Sequence, residues 1–248
     1  MEKIPQLREG ERLDDLQRGG LKILQRPDGF RFGTDAVLLA DFCRARPGDT
    51  VVDMGTGSGV LPLLICGRAD RTRIVGVERE TLMADMAQRS VALNGLEDRI
   101  RVVCCDIREA PAQLGTERFR LAVTNPPYTQ RSRGLVSPST LKAEARSADC
   151  PLEEWIHACA RVLQFGGRLC MVYPASRLGE VIAAMQQFRL APKRLRLVAK
   201  RPEHPPKLML LEGKKGGGQG MIVEPLLVTH REDGTFSEEM RRIYGEAP

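Results

Sequence analysis

The chain of 248 residues is poor in aromatics, with one Trp, three Tyr and seven Phe, 4% in all. Its core must therefore be assembled mainly from Leu, Val, Ile and Ala. Histidine is scarce as well. His157, His204 and His230 are far apart without metal-ligand spacing, and none of the seven cysteines forms a CxxC pair, so neither a zinc centre nor a redox dithiol is expected. Cys104 and Cys105 adjoin in a strand-like run, which sends their side chains to opposite faces. Small buried thiols in a reducing compartment are the expectation. No apolar run approaches the length of a bilayer span, the longest being pieces such as VLPLLIC at 60–66. The opening MEKIPQLREGERLDD is polar and carries acids, unlike a signal or transit peptide. A cytoplasmic protein without a membrane partner is expected.

Charge is present but uneven. The net charge is +6, and between residues 191 and 215 eight basic residues (Lys193, Arg194, Arg196, Lys200, Arg201, Lys207, Lys214, Lys215) stand against two Glu. Arg131, Arg133, Lys142 and Arg146 form a second excess. Such clusters suit RNA or DNA, or serve simply as a solvated face.

From about residue 50 strand and helix patterns alternate. TVVDM, RIVGVE, IRVVC, FRLAVT and RLCMVY read as strands; the pieces beginning at Val60, TLMADMAQRSVALNG, LEEWIHACARVL and SRLGEVIAAMQQF read as helices. Asn94-Gly95 marks one helix end and Ser176 a helix N-cap. Alternation of this kind predicts parallel strands with helices on both faces. The ending differs. KRLRLVA, KLMLLE and MIVEPLLVT are strand-like, and the glycine-rich GKKGGGQG at 213–220 predicts an antiparallel hairpin between the last two. Residues 1–30 read as an N-terminal extension with a short strand pair, and residues 31–248 as a single domain.

Two motifs carry chemistry. Asp53-Met-Gly-Thr-Gly-Ser-Gly59 joins the first strand to its helix, with glycines that turn the backbone sharply and admit a ligand closely. Nicotinamide, flavin and nucleotide enzymes use similar turns. A carboxylate at position 53 is a poor neighbour for pyrophosphate and suits a ligand bearing ammonium and sulfonium. Glu78 ends the second strand, placed to hold ribose hydroxyls, and Asp106 follows the third, placed to accept from an adenine amino group. The second motif is LAVTNPPY at 121–128, a buried strand stopped by a rigid hook.

DMGTGSG, Glu78, Asp106 and NPPY, in this order, resemble the class I S-adenosylmethionine-dependent methyltransferases over roughly residues 30 to 230. The resemblance implies an α/β, Rossmann-like, seven-stranded sheet of order 3-2-1-4-5-7-6 with strand 7 antiparallel and helices on both faces. It implies S-adenosylmethionine as cofactor, with S-adenosylhomocysteine as product. Asp53, Gly55, Thr56, Gly57, Gly59, Glu78, Asp106, Ile107 and Asn125 would bind it. In the hook, the Asn125 side-chain carbonyl and the fixed Pro126 backbone carbonyl would take both hydrogens of a planar amino group. Pro127 would stiffen the bend and Tyr128 would stack on the base.

Asn-Pro-Pro-aromatic hooks occur in enzymes acting on adenine, on guanine and on a protein glutamine amide. The segment GFRFGTDAVLLADF at 29–42 resembles the FGTDxxLL piece of the bacterial valine-tRNA adenine methyltransferases, which act beside the anticodon. That likeness adds Phe32, Thr34 and Asp35 as cofactor-site candidates, with Thr34 or Asp35 also expected to cap a helix. KAEARSADCPLEEW and FSEEMRRIYG resemble further pieces of that group, whereas Thr129 and Ser147 depart from its pattern. The implied function is N-methylation of adenine in RNA, chiefly tRNA. The rivals are guanine in ribosomal RNA, a protein glutamine, and an inactive RNA-binding relative. Arg131, Arg133, Lys214 and Lys215 are the RNA-binding candidates. No metal is expected, and the chain is read as a monomer or homodimer.

Overall fold

A computed structural model describes residues 7–26, 33–127 and 150–245. Two short strands, β1 (Arg12–Asp15) and β2 (Lys22–Gln25), form an antiparallel pair outside the main sheet. The main chain then runs α1 (Thr34–Phe42), β3 (Thr50–Met54), α2 (Val60–Cys66), β4 (Arg73–Glu78), α3 (Thr81–Leu93), β5 (Ile100–Cys104), α4 (Ala110–Leu114) and β6 (Phe119–Thr124). After residue 150 come α5 (Leu152–Val162), β7 (Leu163–Pro174), α6 (Leu178–Gln187), β8 (Leu190–Ala199), β9 (Leu208–Lys215), β10 (Ile222–Val223), β11 (Leu227–Val228) and α7 (Glu238–Tyr244).

The sheet order is β10-β8-β9-β7-β6-β3-β4-β5, with β11 also paired to β8. Strands β3 to β7 are parallel, and β9 runs antiparallel between β7 and β8. Alternate residues serve opposite layers, as the period of two requires. Val51, Leu121, Val123 and Val172 face a cluster shared with α1, α2 and α7, while Val52, Ala122 and Met171 face one shared with α5 and α6. Fully buried aliphatics such as Leu63, Leu64 and Ile156 each stabilise the fold by about 1.5–3 kcal/mol. Helix α5 shows the amphipathic spacing plainly: Trp155, Ile156, Cys159 and Val162 are buried while Glu153, Glu154 and His157 are exposed.

The β1–β2 pair is tied to α3. Leu24 N–H donates to the buried Ser90 Oγ at 3.0 Å, and Asn94 brackets Lys22, accepting from its N–H at 2.9 Å and donating to its carbonyl at 2.7 Å. Arg89 pairs with Glu11.

Three local expectations are corrected. Among the described residues the sheet holds nine strands, and the 213–220 segment is not a hairpin turn. Residues through Lys215 still belong to β9; the following glycines carry the chain past β8 to its far side, where β10 and β11 pair parallel to it. Lys193 holds that crossing by donating to the carbonyls of Gln219 and Gly220, both at 3.0 Å. Ser176 is no N-cap: a 3-10 turn at Ala175–Arg177 precedes α6, whose N-cap is Arg177. Helix α1 is preceded by Gly33 without a side-chain cap, so Thr34 and Asp35 lie within its first turn.

Part of the basic 191–215 run is engaged within the fold, while Lys200, Lys207 and Lys214 are exposed. Glu212 on β9 accepts from Arg168 on β7 at 3.0 Å and from Arg194 on β8 at 3.2 Å. Arg194 also lies 4.1 Å over the Phe42 ring, and Arg196 pairs with Glu239 at 2.8 Å. Among the described residues no helix is long and apolar enough to cross a membrane. Glu212→Ala removes the carboxylate shared by two largely buried guanidinium groups, so it should cost about 3 kcal/mol, read by urea denaturation. A loss below about 1 kcal/mol, in the range of a surface pair, would show that the ion cluster is not a tie.

Candidate active site

Strands β3 and β6 are neighbours in register, Asp53 opposite Val123. Their carboxyl ends therefore release two turns side by side, the glycine turn after Met54 and the hook after Thr124. In open α/β sheets this edge is where ligands sit. A cavity of about 240 Å³ opens there, lined among others by Gly57, Glu78, Asp106, Ile107, Asn125 and Trp155.

The glycine turn is anchored from below. The N–H groups of Gly55 and Thr56 both donate to the Val77 carbonyl, at 2.9 and 2.8 Å. Gly55 has φ +84°, and a Cβ there would lie 2.8 Å from the Trp155 ring, so both conformation and space demand glycine. Gly59 has φ +91° and packs against Ala87, setting the turn on α3. Glu78 is held by its own backbone contacts: one oxygen accepts from Gly57 N–H and the other from Glu80 N–H, both at 2.9 Å. A carboxylate oxygen has two acceptor sites, so both oxygens retain capacity for a diol. Asp106 accepts from the Arg108 backbone N–H at 2.9 Å and from its guanidinium at 2.8 Å. These bonds hold its carboxyl below the usual range.

Asp53 lies beneath the turn rather than on the cavity wall. It is fully buried, and neither oxygen has a hydrogen-bond partner of standard geometry among the described residues. Burial pushes its carboxyl up to about 7, with the Glu78 charge adding to the rise and the nearby Thr56 hydroxyl opposing it. Such a carboxylate lacks a compensating cation.

At the hook, Asn125 Nδ2 donates to Asp35 Oδ2 at 2.9 Å, while Asn125 Oδ1 is buried with no hydrogen-bond partner among the described residues. Pro126 and Pro127 line the cavity beside it. Trp155, the single tryptophan of the chain, was not among the sequence candidates. Its indole N–H donates to Thr124 Oγ1 at 2.6 Å, and Thr124 donates to the Met54 carbonyl at 2.7 Å. One indole thus supports the glycine turn and the hook together. Its sequence signal was a lone Trp on the buried face of α5. Arg79, Glu80, Met83 and Cys150 also line the cavity and had no motif to mark them.

Other candidates fall elsewhere. Thr34 lies in the first turn of α1, within 3.5 Å of the Tyr244 hydroxyl. Lys214 pairs in register with Arg168, in the middle of β7, about 20 Å along the strand from its carboxyl end. Lys215 donates to the Leu163 carbonyl at 2.7 Å and to Glu117 at 3.1 Å. The structure does not bring either lysine to the cavity. Phe32, Tyr128, Arg131 and Arg133 lie outside the described residues. Among the described residues no group of three or more His, Cys, Asp or Glu is placed to hold a metal.

The chemistry of these donors fits S-adenosylmethionine: an uncompensated carboxylate under the turn, a glycine cradle that a Cβ would fill, and an oriented carboxylate at Glu78. Fold and site together define an α/β methyltransferase. Residues 30–190 match the methyltransferase small domain family, and the chain belongs to that family. It is an S-adenosylmethionine-dependent methyltransferase. Among curated relatives it is 30% identical to a Porphyromonas gingivalis protein over 86% of both chains, and 33% identical to a Dickeya chrysanthemi protein over 75% and 74%. Both relatives are named tRNA1(Val) (adenine(37)-N6)-methyltransferase. Among solved structures, a predicted O-methyltransferase of Agrobacterium tumefaciens aligns with TM-score 0.70 at 24% identity, over 86% of this chain and 96% of that one. An S-adenosylmethionine-dependent O-methyltransferase of Thermotoga maritima aligns with TM-score 0.54 at 17% identity, over 80% and 75%.

Two outcomes are expected. Because Trp155 lines the cavity, S-adenosylmethionine should change the intrinsic tryptophan emission. Glu78→Ala should weaken the titration by about tenfold or more, the worth of hydrogen bonds to a charged group; an unchanged midpoint would remove Glu78 from the site. For Asp53 the folded value, about 7, exceeds the ordinary 3.8. The folded state therefore holds the proton longer. The stability tied to this group is complete below about 3.8 and is drained as the pH rises to about 7, by on the order of a few kcal/mol. Asp53→Asn should lose this component, so that its melting temperature relative to the native chain rises between pH 4 and pH 8.

Proposed function

We propose that the protein methylates the N6 amino group of an adenine in RNA, with a tRNA adenine beside the anticodon as the target. The observation that carries this reading is the acceptor Asn125 Oδ1, buried and without a hydrogen-bond partner among the described residues, on a residue that lines the cavity. An acceptor left without a donor costs stability, and an incoming amino group would satisfy it. S-adenosylmethionine, when bound, supplies an electrophilic methyl group on its sulfonium.

The chain's own residues do the rest. An exocyclic amine is a weak nucleophile because its lone pair is delocalised into the ring. Asn125 Oδ1 and the Pro126 carbonyl together accept its two hydrogens, favour a pyramidal nitrogen and direct its lone pair across the cavity. The proton leaves after transfer, so no dedicated base is required at the start. Glu78 orients the ribose, and Asp106 offers an acceptor to the cofactor's adenine. Tyr128 stacks on the target base for roughly 1–3 kcal/mol, comparable with the few kcal/mol needed to unstack a nucleotide. A tRNA loop already splays its bases, which lowers that cost. Guanine and glutamine carry amino groups of similar geometry, and the names of the relatives favour adenine. The intact cradle and hook favour an enzyme over an inactive RNA-binding protein.

We read β3 to β9 as the family's seven strands, in the order 3-2-1-4-5-7-6 with the seventh antiparallel, and β10 and β11 as additions at its edge. Residues 31–248 are read as one domain with residues 1–30 as its extension. Phosphate contacts are assigned to Arg131 and Arg133, which follow the hook in the chain.

Labelled S-adenosylmethionine incubated with separate tRNA, ribosomal RNA and protein fractions should label tRNA, and digestion should release N6-methyladenosine; label in either other fraction would overturn the substrate. Asn125→Ala should lower transfer about a hundredfold or more, by analogy with an oxyanion-hole donor, at unchanged cofactor affinity. RNA affinity should fall steeply between about 50 and 300 mM salt. Arg131→Ala should flatten that slope, and a salt-indifferent affinity would remove the phosphate contacts.

A further inference from the structure

We propose that Asp35 is a positioning residue: its carboxylate selects which end of the Asn125 amide faces the cavity. This inference rests on the reading of Asn125 given above. A primary amide has an accepting and a donating end of nearly equal size, so shape alone does not choose between its two orientations. Asp35 Oδ2 receives the hydrogen bond from Asn125 Nδ2 at 2.9 Å. A carboxylate has acceptors only. Turning the amide over would place oxygen against oxygen and aim N–H groups, rather than a carbonyl, into the cavity. An amino group of a base would then meet donors and be refused.

Asp35 is itself held. Its Oδ1 accepts from the Ala36 N–H at 2.9 Å, in the first turn of the nine-residue helix α1, where the aligned peptide dipoles favour negative charge. Gly33 leaves room for this arrangement, since a Cβ there would lie 2.7 Å from Asp35 Oδ1. The hydroxyl of Tyr244 reaches Thr34 beside it, so α7 braces the same turn. The outcome is seen at the other end of the amide: Asn125 Oδ1 is buried and without a hydrogen-bond partner among the described residues. The glycine and aspartate of the FGTD piece therefore act on the target side of the site, through Asn125.

The test is a set of variants read three ways: single-turnover methylation of unmodified tRNA, S-adenosylmethionine affinity by calorimetry, and exchange protection of the Asn125 side-chain amide protons by NMR. Asp35→Ala should slow transfer about tenfold or more, as for one lost preorganised contact. It should leave cofactor affinity within about twofold and abolish the amide protection. In an Asn125→Ala background the same change should cost nothing further, because two residues acting as one unit are not additive. Asn125→Asp should be inactive, with two carboxylates in contact. The swap Asp35→Asn with Asn125→Asp should recover about tenfold or more of that loss, since the new amide donates to one oxygen and leaves the other free. Gly33→Ala should mimic Asp35→Ala without altering either group. Failure of the swap to recover activity in a folded, cofactor-binding protein, or retained amide protection in Asp35→Ala, would overturn the role of Asp35. Full activity in Asn125→Ala would instead overturn the reading of the hook.

Discussion

The Thr124 hydroxyl, taking a hydrogen bond from the Trp155 indole and giving one to the Met54 carbonyl, is the contact on which the site depends. It joins the last residue of β6 to the last residue of β3 at the point where both strands let go of the sheet. The register of Asp53 beside Val123 fixes how far apart the two turns begin, and the indole beneath Gly55 fixes their heights. Neither turn is positioned by its own sequence alone. Geometry at a reacting centre must be held within fractions of an ångström, and strand ends braced by a large, nearly buried ring provide that.

Electrostatics divide the site by layer. Asp53 is beneath the turn, without a cation and raised toward neutrality. Glu78 is fastened by two backbone donors, and Asp106 by Arg108. Three carboxylates of one cavity region thus have three distinct environments, set by burial, by peptide N–H groups and by a guanidinium. The free chain stores an unfavourable burial beneath the glycine turn.

The alternating pattern was readable because β3 to β6 are short, aliphatic and closed by a turn residue; FRLAVT and the hook after it are the plainest case. Glycine spacing exposed the cradle for a similar reason, since a left-handed turn admits little else. The end of the sheet was misread because a run of glycines is permissive: it permits a tight hairpin and equally the crossing observed, and tertiary pairing with β8 decided between them. Charge was misread because a linear count does not see partners. Arg194 and Lys215 are basic in sequence and spent internally in the fold. Trp155 escaped notice because a lone Trp on a buried helix face reads as core; its role exists only once α5 lies under Gly55.

The placement of β9 has a consequence for how the protein is made. This strand follows β8 in the chain yet lies between β8 and β7 in space. On a ribosome, β3 through β7 can join side by side as they emerge, but β8 has no neighbour until the polypeptide has grown through residue 215. Until then β7 presents a naked row of peptide groups, an invitation to adhesion between nascent chains. Closure of the sheet is thus a late, post-emergence event, completed by a strand that must be inserted rather than appended.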